Sequence, residues 1–232
     1  MTAAGRPGFR DGLWIAVPVI LGYLPIAFSF GVAATRAGLT GAETVMLSVV
    51  IYAGASQFLA LALVTGGVPV LVAAVTLTAM NLRHVVYGPA LMRQAGGPPT
   101  RMAWAWAFGL TDEVFGAALG HLARGRGFSE AMMFGLAAGA YAAWVLGTAA
   151  GALAGGGALA GWPVLDAALG FMLPALFLAL LLSILSRAAL AVVLVAGCVT
   201  AAGSLAGHGT AGLLAGMLAG AVTGAFTGAG RR

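Results

Sequence analysis

Tyr52-Ala53-Gly54-Ala55-Ser56-Gln57-Phe58 lies at the centre of an apolar run from about residue 43 to 64, long enough to cross a bilayer. A purely structural membrane helix carries Leu and Val at that depth; this one carries a Ser-Gln pair behind three small residues. Two later apolar runs share the peculiarity. One holds Asn81-Leu82-Arg83-His84 with Tyr87-Gly88, the other Gly109-Leu110-Thr111-Asp112-Glu113 with Phe115. Polar and ionisable side chains inside membrane spans are costly, so three such groups at matching depth read as a site. The pattern points to an all-α polytopic membrane protein whose spans line a transport pathway.

Composition leads to the same class. Of 232 residues, 61% are hydrophobic and 7% charged, with mean hydropathy +1.03, which excludes a soluble globular domain. The net charge of +5 comes from arginine alone, spread over loops and tails rather than gathered on one face, so no nucleic-acid partner is expected. The single cysteine, Cys198, lies in an apolar run, leaving neither a disulfide framework nor a zinc pattern; no metal or other cofactor is expected. Arg6 and Arg10 precede an apolar run from Leu13 to Ala33 that is too long for a cleaved leader and reads as the first span.

Taken in order, the apolar runs fall at about 13–33, 43–64, 68–91, 102–121, 131–153, 163–185, 188–206 and 210–228. These predict a single domain over 1–232, a bundle of about seven to eight transmembrane helices, with a short or re-entrant form of the last two runs as the alternative to two full spans. If the N-terminus is cytoplasmic and all eight runs cross, Arg6, Arg10, Arg124, Arg126, Arg187, Arg231 and Arg232 lie inside and Arg36, Arg93 and Arg101 outside, in the direction of the positive-inside rule.

Glycines recur every four residues at Gly212, Gly216, Gly220, Gly224 and Gly228, and again at Gly147, Gly151 and Gly155, with shorter pairs at Gly116/Gly120 and Gly135/Gly139. Small residues at that spacing predict seams where helix backbones approach closely. Pro18 and Pro25 in the first run and Pro174 in the sixth predict kinks or unwound segments, with Phe30 and Gly31 beside Pro25 as candidate cavity walls.

Ser56, Arg83 and Asp112 lie within about two turns of the middle of their runs and can meet near the midplane, where transporters commonly bind substrate on broken helices. Asn81, His84 and Tyr87 share one helical face, and Arg83 projects about 100° from His84. Arg83 requires an anion, and Asp112 and Glu113 are the carboxylates deep in a span. Pairing Arg83 with one of them keeps its charge in the membrane and leaves the other carboxylate, or His84, for a substrate ammonium or a proton. The competing reading of Ser56 or Asn81 alone is an interhelical hydrogen bond. Asp166 reads as a helix-start residue, and Glu43, His121 and His208 as interfacial.

Gly54-Ala55-Ser56-Gln57-Phe58, Asn81-Leu82-Arg83-His84 with Tyr87-Gly88, and Leu110-Thr111-Asp112-Glu113 with Phe115, in that order and separation, resemble the large subunit of the AzlC-type branched-chain amino acid exporters. Pro25 and Phe30-Gly31 agree with it; the part from about Gly125 onward matches little. The resemblance implies an inner-membrane permease that exports hydrophobic amino acids together with a small AzlD-type membrane subunit.

A zwitterionic branched-chain amino acid needs a cation or helix N-terminus for its carboxylate, an acceptor for its ammonium and an apolar pocket. Arg83 or the amides near Gly54 to Gln57 are the expected carboxylate site, Asp112 or Glu113 the ammonium site, and Phe58 and Phe115 the pocket walls. No ATP-binding loop is present, so transport is secondary, with His84 the candidate proton carrier alongside Asp112 and Glu113. Two alternatives remain: a proton or ion channel lined by the same groups, and an intramembrane hydrolase using Ser56 and His84, which lacks a nucleophile elbow. No enzymatic activity is expected.

Overall fold

The computed structural model describes residues 6–97, 100–155 and 161–227. Gly228, Arg231, Arg232, Pro98 and Pro99 lie outside the described residues, as do the side chains of Asp166 and Pro174. Among the described residues the regular structure is entirely helical: α1 (Phe9–Arg36), α2 (Gly41–Ile51), α3 (Gly54–Thr65), α4 (Val70–Asn81), α5 (His84–Ala95), α6 (Ala103–Phe108), α7 (Asp112–Ala123), α8 (Glu130–Gly155), α9 (Pro163–Ile184), α10 (Arg187–Leu205) and α11 (Gly209–Thr227). The protein is an all-α polytopic membrane protein. Four segments, Phe9–Arg36, Val70–Ala95, Glu130–Gly155 and Gly209–Thr227, are long and apolar enough to cross a bilayer. The chain divides into two units, Met1–Leu173 and Pro174–Arg232.

The axis of the first unit is the parallel pair α1 and α8. Gly12 of α1 faces the Met132 and Leu136 backbone, Gly139 faces Ala16, Gly147 faces Leu24 and Ala27, and Gly151 faces the Phe28 backbone. A Cβ at Gly151 would stand 2.8 Å from the Phe28 carbonyl carbon, so only a small-residue seam allows this approach. Gly31 belongs to the seam as well, against the Thr148 and Gly151 backbone, rather than to a cavity wall. In the second unit, α10 and α11 form an antiparallel hairpin on the predicted glycine series. Gly212 meets Gly203, Gly216 meets Thr200 and Ala196, and Gly220 meets Ala196 and Val192.

Pro18 and Pro25 do not unwind α1, which stays helical through both, its buried face held against α8. The breaks fall instead inside the three polar motifs. α2 and α3 are separated by Tyr52 and Ala53, with Tyr52 in the left-handed region at φ 34°. α4 passes into α5 through Leu82 and Arg83, where Val85 and Val86 donate to Leu82 and Arg83 three residues back, a tightening of the helix. Gly109, Leu110 and Thr111 separate α6 from α7.

Two of these breaks are reversals. The cluster of Phe30, Ala34 and Leu61 takes in Leu39, Leu47 and Phe58, so both the start of α2 and the end of α3 lie toward the C-terminal end of α1. Gln57 pairs with Ser48 across the turn. The second reversal enters from the opposite end: the Met102 amide, before α6, donates to Glu130 at the start of α8 at 2.7 Å, while His121 near the end of α7 contacts the Gly127 carbonyl. The runs at 43–64 and 102–121 are therefore two half-length helix hairpins rather than through-going spans. Each has a polar, conformationally special tip, which lets the chain turn back. Their tips meet where Tyr52 stacks on Phe108 with ring centroids 6.4 Å apart.

This topology moves two charges. Arg93 and Arg101, expected opposite the N-terminus, lie at the same end as Arg6, Arg10, Arg124 and Arg126, because only α4–α5 crosses between α1 and α8.

Candidate functional site

The two tips and the α4–α5 break converge at mid-height of α1 and α8. Irregular backbone at that depth is tolerated where protein buries it, and each break leaves helix termini with partial charges pointing inward. α3 begins there without a side-chain cap, and α7 begins there with the Thr111 hydroxyl accepting from the Val114 amide.

Asp112 joins two neighbours. Its Oδ2 lies 2.9 Å from Arg83 Nη2, and its Oδ1 accepts from the Tyr87 hydroxyl. Tyr87 stacks on Phe115 at 4.6 Å and takes His84 edge-on at 5.3 Å. The side chains of Arg83 and Asp112 are 42% and 34% exposed, so the pair is reachable by a solute. Glu113 turns the other way and accepts from the Tyr23 hydroxyl of α1 at 2.7 Å; the same hydroxyl contacts Thr111. Adjacent carboxylates in one helical turn thus serve different neighbours, as successive residues on a helix point about 100° apart.

On the other hairpin, Ser56 donates to Asn81 Oδ1 at 2.8 Å, joining the tip to the α4–α5 break. Beside that bond lies an open, shallow groove of about 380 Å³ lined by Val50, Ile51, Leu77 and Leu82, with Thr78 and Asn81 as polar members. Gln57 is fully buried and paired at both amide atoms: its nitrogen donates to Ser48 at 2.8 Å, its oxygen accepts from the Trp144 indole, and Ser48 bonds to Thr148 at 2.7 Å. Gly54 makes room for the Trp144 ring, and Phe58 packs edge-on to Phe30 at 5.2 Å.

The structure therefore brings Ser56 to Asn81, Arg83 to Asp112, and His84 and Phe115 to Tyr87. It places Gly54, Gln57 and Phe58 in packing against α8 and α1. Tyr23 and Trp144 escaped the sequence reading of the site, and Tyr52, which opens the first motif, was given no role in it. Trp144 packs edge-on to Tyr23 at 5.0 Å, linking the two hairpins through α8 and α1, and the buried Tyr52 hydroxyl has no partner among the described residues. Their sequence signal is a polar-tipped aromatic ring inside an apolar run. Among the described residues no group of three His, Cys, Asp or Glu could hold a metal ion. Nor does a hydrogen bond join Ser56 to His84, since the Ser56 hydroxyl is directed to Asn81.

Broken helices bearing an ion pair within apolar spans are an arrangement that membrane transport proteins use. The chain belongs to the AzlC protein family, which matches residues 18–157. It is 46% identical over 209 residues to the inner membrane protein YgaZ of Escherichia coli, covering 88% of this chain and 83% of that one. An uncharacterized membrane protein of Archaeoglobus fulgidus is 39% identical over 175 residues, 75% of this chain and 74% of its own. The branched-chain amino acid transport protein AzlC of Bacillus subtilis is 24% identical over 107 residues, 46% of this chain and 42% of its own. No solved structure matches.

Proposed function

We propose that this chain is a secondary transporter that exports branched-chain or other hydrophobic amino acids across the inner membrane, coupled to protons and working with a small AzlD-type membrane subunit. The observation that carries the reading is the half-exposed Arg83–Asp112 pair at the junction of three broken helices. A zwitterion can insert between two such charges, its carboxylate on Arg83 or the uncapped N-terminus of α3 and its ammonium on Asp112. The apolar groove beside Asn81 suits an aliphatic side chain, and Phe115, stacked on Tyr87, adds an apolar surface next to Asp112. Glu113 and His84 are the proton-handling groups, one bonded to Tyr23 and the other against Tyr87.

The family and the transport protein named for B. subtilis support the substrate class. Arginine placement supports a cytoplasmic N-terminus: Arg6, Arg10, Arg93, Arg101, Arg124 and Arg126 share its end of the first unit, with Arg36 at the other. The exposed apolar faces of α4 and α5, at Val70, Leu71, Val85 and Val86, offer a surface to lipid or the small subunit.

Counterflow of radiolabelled valine, leucine, isoleucine and methionine in proteoliposomes, with and without the small subunit, tests this function. Saturable exchange is expected. Its absence with the subunit present and the chain correctly inserted rejects the substrate class.

A further inference from the structure

At the N-terminal end of the first unit, a cavity of about 880 Å³ opens between α1 and α7. Its polar side carries Arg6, Arg124 and Arg126 against a single carboxylate, Asp11, whose Oδ2 already accepts the Gly8 amide at 2.6 Å. Apart from His121, the rest of the lining is apolar and includes Trp14 and Pro18 of α1 and Gly116 of α7, where an added Cβ would meet open space. Trp14 is 72% exposed and stands above Leu21, also exposed, on the outward stripe of α1. Gly116 and Gly120, expected as a packing pair, thus leave a hollow instead of holding a neighbouring helix.

Three guanidinium groups above an apolar slot, at the level where a membrane helix emerges, match one ligand chemistry: a phosphate ester attached to an acyl chain. The geometry points to this cavity as a binding site for an anionic phospholipid, its headgroup on Arg6, Arg124 and Arg126 and the start of its acyl chain along Trp14, Pro18 and Gly116. Basic pockets between membrane helices hold acidic headgroups in this way. A free phosphate ion satisfies the arginines but leaves the apolar half empty, which favours the lipid. The site is separate from the Arg83–Asp112 region and does not depend on the solute carried.

The test uses the full chain, stripped of lipid in non-ionic detergent and titrated with dibrominated phosphatidylglycerol, whose bromines quench nearby indoles, beside dibrominated phosphatidylcholine. Saturable quenching by the anionic lipid, tighter than by the zwitterionic one by at least roughly tenfold, is expected, and its specific component disappears in Trp14→Phe. Joint substitution of Arg124→Gln and Arg126→Gln weakens binding by at least roughly tenfold, whereas Arg10→Gln with Arg93→Gln, at the same end but outside the cavity, leaves it within about twofold. Gly116→Leu fills the slot and abolishes the specific quenching with every charge retained. If that variant loses its monodisperse profile, the two arginine pairs still decide. Equal weakening by both arginine pairs assigns the effect to general surface potential, and displacement of the lipid by millimolar inorganic phosphate assigns a small-anion site; either result overturns the proposal.

Discussion

Gln57 and Trp144 share a buried hydrogen bond, the indole N–H donating to the amide oxygen, and that bond fastens a half-length helix hairpin to a full-length span. Breaking it leaves a buried polar atom unpaired. Trp144→Phe and Gln57→Ala are each expected to cost about 1–3 kcal/mol, seen as a lower thermal transition in detergent. The double variant should lose less than the sum of the two, because they remove one shared interaction. Additive losses would separate the residues energetically.

Arg83 and Asp112 should behave differently. A partly exposed ion pair contributes about 0–1 kcal/mol, so Arg83→Gln or Asp112→Asn should shift the thermal transition little. Amino-acid counterflow should nonetheless fall by at least roughly tenfold in each, as a zwitterion loses one of its charge partners. Retained exchange in both would remove the pair from the substrate site.

The reversal of α2–α3 and α6–α7 is testable by accessibility. In a Cys198→Ser background, Ala37→Cys and Val68→Cys should label from one side of the membrane, and Gly97→Cys and Ala123→Cys from the other. Eight through-going spans would put Ala37 and Val68 on opposite sides, so labelling of that pair decides between the two topologies.

His84→Gln should flatten the pH dependence of export. An unchanged profile would pass the proton to Glu113 or Asp112, and Glu113→Gln would then be the informative variant.

The α1–α8 seam predicts a contrast between glycines. Gly151→Leu forces a side chain into the Phe28 backbone and should abolish the monodisperse, folded protein in detergent. Gly22→Ala, where nothing lies within 4 Å of the added Cβ, should fold normally and gain about 0.5–1 kcal/mol from helix propensity.

The glycine repeats illustrate how far one dimension reaches. Gly147, Gly151 and Gly155 announce a close helix contact, since no other residue permits it, but the partner, α1, lies more than 100 residues away in sequence and is named only by the folded structure. The same spacing at Gly116 and Gly120 lines a hollow, because missing side chains create room without specifying what fills it. Ser56 with Asn81, and Arg83 with Asp112, meet as two pairs, because polar groups within apolar spans find one another. Gln57 looked equivalent to Ser56 and turned out to be fully engaged with Ser48 and Trp144.

By itself the sequence determined the class of molecule and the depth of its polar groups: apolar runs of span length have to enter a bilayer, and charges inside them have to be paired. Tertiary structure decided that two of those runs turn back at mid-depth. An apolar stretch of about twenty residues satisfies the bilayer equally as one span or as two half-length helices. The choice rests on whether the tip finds protein to bury its open backbone, and here Tyr52 against Phe108 and Tyr141, with Gln57 bonded to Trp144, provides it.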